Sequence, residues 1–192
     1  MYKKQVKMQK IICLVLLILS AVVFVYSLGI MTDLYDSLYS TYRRGKTSLS
    51  GAEVYMDMQP FNKDFLHASI GLILLAVLLF VTNTHSRRKY YIGNYAAIGL
   101  FAAGSIALCV WAHGQIETFR AQFLTIDFAA LAEHAAKKKT LYTESTLLLD
   151  LHYVIFSLLL LGTVLLIANA VWKRKLMKEE QALILQGKEA AA

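Results

Sequence analysis

Three histidines lie at the ends of apolar stretches, each within about one helical turn of an acidic residue. The histidines are His67, His113 and His152, and the nearby acidic residues are Asp64, Glu117 and Asp150. Imidazole with carboxylate is a ligand set for zinc and other transition-metal ions, and it also supports proton transfer. No HxxxH or HExxH spacing accompanies them. Two interpretations stay open: a metal or haem site, and histidines that occupy the membrane interface for structural reasons.

Residues that would carry other chemistry are missing from the chain. It contains no GxSxG nucleophile motif, no Walker sequence and no GxGxxG. The polar residues deep in the apolar stretches are Ser20, Ser105, Ser157 and Thr163, each able to hydrogen bond to its own helix. Pumps and ion-coupled carriers need ionisable groups at such depths. We therefore expect a protein that is not an enzyme and needs no cofactor.

Four apolar stretches, at residues 11–31, 65–82, 91–112 and 150–172, position these groups. Each has about the 20 residues that a helix needs to cross the hydrocarbon core. Barrel strands would alternate polar and apolar residues, which these stretches do not. The sequence predicts an all-α integral membrane protein, with residues 1–192 forming a single four-transmembrane-helix bundle.

The basic residues predict the orientation of the bundle. Residues 1–10, 83–90 and 173–192 together hold 12 of the 20 Lys and Arg residues but only three of the 13 Asp and Glu residues. Basic segments that flank spans stay in the cytoplasm. We expect a multi-pass plasma-membrane protein with both termini and the loop 83–90 inside. The net charge of +7 then reflects topology and anionic lipid, and we expect no nucleic-acid partner.

The first outer loop, residues 32–64, is expected to continue helix one as far as Tyr42. Tyr35, Tyr39 and Tyr42 recur there at helical spacing. Residues 47–62 contain turn signals, including Pro60, and are expected to be irregular, with Asp64 as the N-cap of the second span.

The second outer loop, residues 113–149, has stronger helical signals. We expect residues 116–123 to continue span three, and Thr125 or Asp127 to cap a short amphipathic helix over Phe128–Lys138. Thr143 and Ser145 are candidate caps for the last span, which residues 173–185 extend. The two loops would form a small extracytoplasmic cap.

Small residues concentrate in the third span, where Gly99 and Ala103 form a small-xxx-small pair. Such pairs let helices approach closely in lipid. The pair is explained either by packing inside the bundle or by a docking face for a separate membrane subunit. The candidate docking residues are Gly99, Ala103, Tyr35, Tyr39, Tyr42 and Phe61.

The favoured hypothesis is a small membrane subunit that associates with a larger complex, such as a transporter, and stabilises or regulates it. Its partners would be the lipid bilayer and other integral membrane subunits. One alternative is a metal- or haem-binding membrane enzyme or sensor that uses His67, His113 and His152. The other is a small oligomeric carrier or channel.

Overall fold

The computed structural model describes residues 2–31, 54–85, 91–138 and 143–189, and all regular structure in these ranges is helical. The helices are α1 (Tyr2–Met31), α2 (Val54–His85), α3 (Tyr91–Phe123), α4 (Phe128–Lys138) and α5 (Leu147–Glu189). All but α4 are long and apolar enough to cross a membrane. The predicted all-α fold with four potential transmembrane helices is confirmed, and these helices are compatible with a multi-pass membrane protein.

The long helices extend well beyond the apolar stretches. Helix α1 begins at Tyr2 and therefore includes the basic N-terminal segment. Helix α5 has 43 residues, about 65 Å of helix against about 30 Å of hydrocarbon. The predicted extensions of the third span to residue 123 and of the fourth beyond residue 172 are both confirmed.

The beginning of α2 corrects the sequence prediction. Residues 54–62 are helical rather than irregular, and Asp64 lies inside the helix rather than at its N-cap. Val54, Met58, Phe61 and Phe65 are at most 5% exposed, at the i, i+4, i+7 and i+11 spacing of one helical face. Burial of this face outweighs the hydrogen bond that Pro60, which is exposed, cannot donate.

Helix α4 has the predicted bounds, and its caps explain why. Asp127 Oδ1 accepts a hydrogen bond from the Ala130 amide at 3.1 Å, so Asp127 is the N-cap. Leu131 and Ala135 are buried on one side. On the exposed side, the hydrogen bond and charge of Lys137 hold the pKa of Glu133 below its ordinary value.

The start of α5 is capped as expected. Ser145 Oγ accepts a hydrogen bond from the Leu147 amide at 3.2 Å, and Thr143 Oγ1 accepts one from the Ser145 amide at 3.1 Å. Side-chain oxygens thus satisfy backbone groups that have no partner within the helix.

Two compact units divide the chain. The first comprises Met1–Ser20, Leu72–Ile106 and Leu158–Ala192, and the second Ala21–Gly71 and Ala107–Ser157. Helices α1, α2, α3 and α5 each contribute a segment to both units, whereas α4 belongs to the second.

Glycines bring helices together in the first unit. A Cβ atom on Gly162 would lie 2.7 Å from Leu16 Cδ2, and one on Gly104 would lie 2.8 Å from Leu75 Cδ1. Both distances are below van der Waals contact, so these two positions require the absence of a side chain. The larger buried side chains of this unit are Leu16, Leu72, Leu79, Phe101, Leu159 and Leu166.

Aromatic rings fill the second unit. Phe65 lies at their centre, stacked on Phe61 at a centroid distance of 5.5 Å and edge-on to Tyr26 and Phe156 at 6.0 and 6.3 Å. Tyr26 also donates a hydrogen bond to the Leu148 carbonyl oxygen at 2.9 Å. This cluster holds α1, α2 and α5 together, and the Phe156 ring also lies 5.5 Å from the ring of His152.

Candidate functional site

Three small residues of α3 face away from the rest of the first unit. Ala96, Gly99 and Ala103 are exposed, and a Cβ atom on Gly99 would meet no atom within 4 Å. Packing inside the unit instead uses Gly104, which approaches Leu75. The Gly99–Ala103 pair is therefore not explained by internal packing. We call Ala96, Gly99 and Ala103 the α3 small-residue face.

The other helices of the first unit expose mostly bulky side chains. More than 40% of each of the following is exposed: Ile11, Leu14, Val15 and Ile18 of α1, Leu74, Val77, Leu78 and Val81 of α2, and Leu158, Leu161, Val164 and Val171 of α5. Branched side chains of this kind suit a surface that faces lipid tails. Helix α3 exposes Ile92, Leu100 and Ile106 as well. The α3 small-residue face differs from these bulky surfaces in composition, not in exposure.

The aromatic candidates for a docking surface have different outcomes. Tyr35, Tyr39 and Tyr42 lie outside the described residues. Phe61 is only 5% exposed, and its ring lies 5.4 Å from the rings of both Trp111 and Phe119. The expectation that Phe61 lies on an outward surface is wrong, because it forms part of the buried face of α2.

The structure brings together two of the three histidines. His113 Nδ1 and His152 Nε2 lie 2.9 Å apart, and His152 Nε2 lies 3.8 Å from Glu117 Oε1. One ligand atom from each of these three residues lies within 4.8 Å of the other two. His67 is exposed on α2 and is not a member of this group. We call His113, Glu117 and His152 the His–Glu–His cluster.

Neighbouring groups orient the cluster. His152, which is fully buried, hydrogen bonds through Nδ1 to the Leu149 carbonyl oxygen of its own helix. Tyr153 donates a hydrogen bond to Glu117 Oε1 at 2.6 Å. Two of the three ligand side chains are thus held by groups that could serve as an outer shell around an ion.

An ion pair joins the same two helices close to the cluster. Arg120 Nε of α3 lies 2.6 Å from Asp150 Oδ1 of α5, and Thr146 Oγ1 donates to Asp150 Oδ2 at 2.6 Å. Asp150 is therefore engaged by its own partners and is not a member of the cluster.

A network of amide side chains in the first unit is not among the sequence predictions. Gln5 and Gln9 are buried in the basic N-terminal segment, where Gln5 Nε2 donates to Gln9 Oε1 at 2.9 Å. Gln9 Nε2 in turn donates to Asn83 Oδ1, and Asn83 Nδ2 donates to the main-chain carbonyl oxygen of Asn94 at 3.4 Å. The sequence contains a signal for the Gln5–Gln9 hydrogen bond, because two residues that are four apart lie on the same face of a helix.

Three of the four deep hydroxyl groups, those of Ser20, Ser105 and Thr163, hydrogen bond to their own helices as the sequence predicts. Ser20 Oγ donates to the Leu16 carbonyl oxygen at 2.8 Å, and Thr163 Oγ1 donates to the Leu159 carbonyl oxygen at 2.9 Å. Ser105 hydrogen bonds to its own helix and lies 3.2 Å from Thr163 Oγ1. These hydroxyl groups therefore find their hydrogen-bond partners in main-chain carbonyl oxygens and in one another.

Comparison of the chain with protein-family models, with curated proteins and with solved structures finds no match. Function must therefore be argued from the residues themselves. The α3 small-residue face and the His–Glu–His cluster are two features of the described residues on which a function can be based.

Proposed function

We propose that this protein is a non-enzymatic integral membrane subunit that associates with another membrane protein through the α3 small-residue face. The exposure of Gly99 and Ala103, with open space around Gly99, is the observation that carries the proposal. The partner is a larger complex, such as a transporter, that this subunit stabilises or regulates.

The physical argument concerns packing in lipid. Hydrocarbon tails are as apolar as Leu, so association between helices relies on close van der Waals contact rather than on the hydrophobic effect. Ala96, Gly99 and Ala103 let a second helix approach the α3 backbone, which bulky side chains would prevent. The first unit exposes bulky side chains on α1, α2 and α5, and on α3 at Leu100 and Ile106. The closest approach is therefore offered by the α3 small-residue face and not by α3 as a whole.

A subunit role also agrees with the polar groups of the potential spans. Ser20 and Thr163 hydrogen bond to their own helices, and Ser105 lies beside Thr163. These hydroxyl groups are not ionisable and supply no relay for coupled transport. The ionisable side chains within the potential spans include those of His113, Glu117 and His152, which converge in the second unit. Under this proposal, transport chemistry belongs to the partner.

The proposal includes an orientation in the plasma membrane. Both termini and the loop 83–90 face the cytoplasm, because the basic residues concentrate there. Helix α4 and the segments beside it then form a small extracytoplasmic cap. A thiol-directed impermeant reagent that labels, on intact cells, a cysteine introduced at either terminus would contradict this orientation.

Association can be tested with matched substitutions that enlarge an exposed small residue. Gly99→Leu and Ala103→Leu fill the proposed contact face, whereas Ala168→Leu enlarges an exposed alanine of α5 in the same unit. Each variant is extracted from its native membrane in polymer nanodiscs and analysed by native electrophoresis and mass spectrometry. We expect wild type and Ala168→Leu to retain a stoichiometric membrane partner, and the two α3 variants to lose it.

Two results would contradict the proposal. One is a wild-type protein that leaves the native membrane as a lone monomer. The other is a partner that all three variants retain to the same extent. Helix content measured by circular dichroism shows that each variant is folded, so loss of the partner is not a consequence of unfolding.

A further inference from the structure

We infer that His113, Glu117 and His152 form a binding site for a divalent transition-metal ion of the zinc class. The site joins α3 to α5 within the second unit. The inference does not rest on the association proposed above, and either can fail without the other.

The positions of the ligand atoms suit a small ion. Zn²⁺ binds His nitrogen and carboxylate oxygen at about 2.0–2.2 Å, so tetrahedral ligand atoms lie about 3.3 Å apart. The His113 Nδ1–His152 Nε2 distance is 2.9 Å, and the His152 Nε2–Glu117 Oε1 distance is 3.8 Å. The required distance falls between these values. The third pair, His113 and Glu117, is bounded only by the 4.8 Å within which all three ligand atoms lie, so their side chains must rotate to close the site. His113 and Glu117 are four residues apart on α3 and therefore share a face.

Hydrogen bonding fixes the tautomer of His152 in the form that a metal needs. The Leu149 carbonyl oxygen can only accept, so Nδ1 of His152 carries the proton and Nε2 presents a lone pair. That lone pair points into a cluster whose other members are an imidazole and a carboxylate. A bond from ring N–H to a backbone carbonyl is the usual outer-shell partner of a metal-bound histidine.

Without an ion, His113 Nδ1 must donate to His152 Nε2. Metal binding needs the lone pair of that same nitrogen. Because His113 is exposed, a neutral ring can carry its proton on Nε2 instead, where solvent can accept it. When the His113 proton moves from Nδ1 to Nε2, the Nδ1 lone pair becomes available as the third ligand. This exchange releases no proton from the ring.

The ligands also select the class of ion. Imidazole favours Zn²⁺, Cu²⁺, Ni²⁺ and Fe²⁺ over Mg²⁺ and Ca²⁺, which prefer oxygen ligands. Two histidines and one carboxylate leave one tetrahedral position for water or an exogenous ligand. A haem iron between the two rings does not fit, because their nitrogens are in hydrogen-bond contact at 2.9 Å.

The competing explanation is a polar clamp, in which the same hydrogen bonds hold α3 against α5 and no ion binds. The two explanations differ in the response to Zn²⁺. The full-length protein, purified without a histidine tag, is stripped with chelator, returned to nanodiscs and titrated with Zn²⁺ by calorimetry. Elemental analysis after desalting measures the retained metal, and Mg²⁺ serves as the negative control.

Three variants make the assignment specific. Glu117→Gln preserves the shape of the side chain and an oxygen for Tyr153, while His113→Ala truncates an exposed ring; neither needs the core to repack. His67→Ala is the matched control, because it removes an exposed histidine of the same unit that lies outside the cluster. Thermal unfolding without metal shows that each variant is folded.

We expect one Zn²⁺ per wild-type and His67→Ala chain, and a higher unfolding temperature when it is bound. Zinc affinity should fall at least about 10-fold in Glu117→Gln and about 100-fold in His113→Ala, since loss of even an outer-shell group costs about 10–100-fold. Failure of wild type to retain Zn²⁺, or equal affinity in wild type and both cluster variants, would establish the clamp and overturn the metal site. Equal loss of zinc in His67→Ala would also overturn it.

Discussion

Gly162 offers a direct test of how the first unit is packed. A Cβ atom at this position would lie 2.7 Å from Leu16 Cδ2, 3.6 Å from Leu16 Cγ and 3.7 Å from Leu19 Cδ1. Optimal carbon–carbon contact lies at about 3.5–4.0 Å, so the Leu16 methyl group must move by about 1 Å. Leu16 is fully buried, and its displacement disturbs neighbours that are themselves packed.

The size of the effect depends on the substituent. Gly162→Ala gains up to about 1 kcal/mol of helix propensity and loses a comparable amount through overlap, so we expect a small net change. Gly162→Leu places three further carbons in the same space, and overpacking of this kind costs about 1–3 kcal/mol. Gly99→Leu meets open space, so it gains helix propensity without overlap, and we expect unchanged or increased stability, by up to about 1 kcal/mol.

The assay is equilibrium unfolding of the purified monomer in mixed micelles, followed by circular dichroism as the fraction of denaturing detergent rises. Using the monomer separates the stability of this chain from the stability of a complex. The reasoning would be refuted if Gly162→Leu were as stable as wild type, or if Gly99→Leu lost as much stability as Gly162→Leu. The expected outcome assigns Gly162 to folding and leaves Gly99 available for association.

Two further predictions concern buried hydrogen bonds and use the same unfolding assay. Tyr26→Phe removes the hydroxyl that donates to a main-chain carbonyl of α5 at 2.9 Å, and we expect a loss of about 1 kcal/mol; an unchanged stability would mean that this bond is not formed. Gln9→Leu leaves the buried side-chain oxygen of Asn83 without its donor, at a cost of about 1–3 kcal/mol, and adding Asn83→Leu should recover part of that loss. A double variant less stable than the sum of the two single changes would contradict the direct contact.

Helix α4 shows how strong local signals make an element predictable. The sequence predicts it at Phe128–Lys138, and the structure has these bounds. Asp127 provides a side-chain acceptor just before the helix, and Leu131 and Ala135 provide an apolar side four residues apart. Each of these signals acts within one or two turns, which is why one sequence is enough to detect them.

The beginning of α2 shows where local signals mislead. Pro60 reads locally as a turn signal, yet it lies within the helix. Val54, Met58, Phe61 and Phe65 recur at helical spacing and are all buried, so tertiary packing outweighs the cost of one proline. If the apolar periodicity is followed across the proline, it predicts that the helix begins near Val54. It also predicts that Phe61 lies in the interior.

The spacing of buried residues along a helix also explains why only two of the three candidate histidines belong to the His–Glu–His cluster. On α5, His152 lies three residues after Leu149 and four before Phe156, and all three are buried, so its ring is directed towards the interior of the second unit. On α2, His67 lies between the buried residues Phe65 and Ser69 and faces the opposite way. A helical projection of each apolar stretch is therefore enough to separate His152 from His67. The projection cannot show that α3 brings His113 and Glu117 to His152, because that contact depends on how α3 packs against α5, which no pattern within either helix specifies.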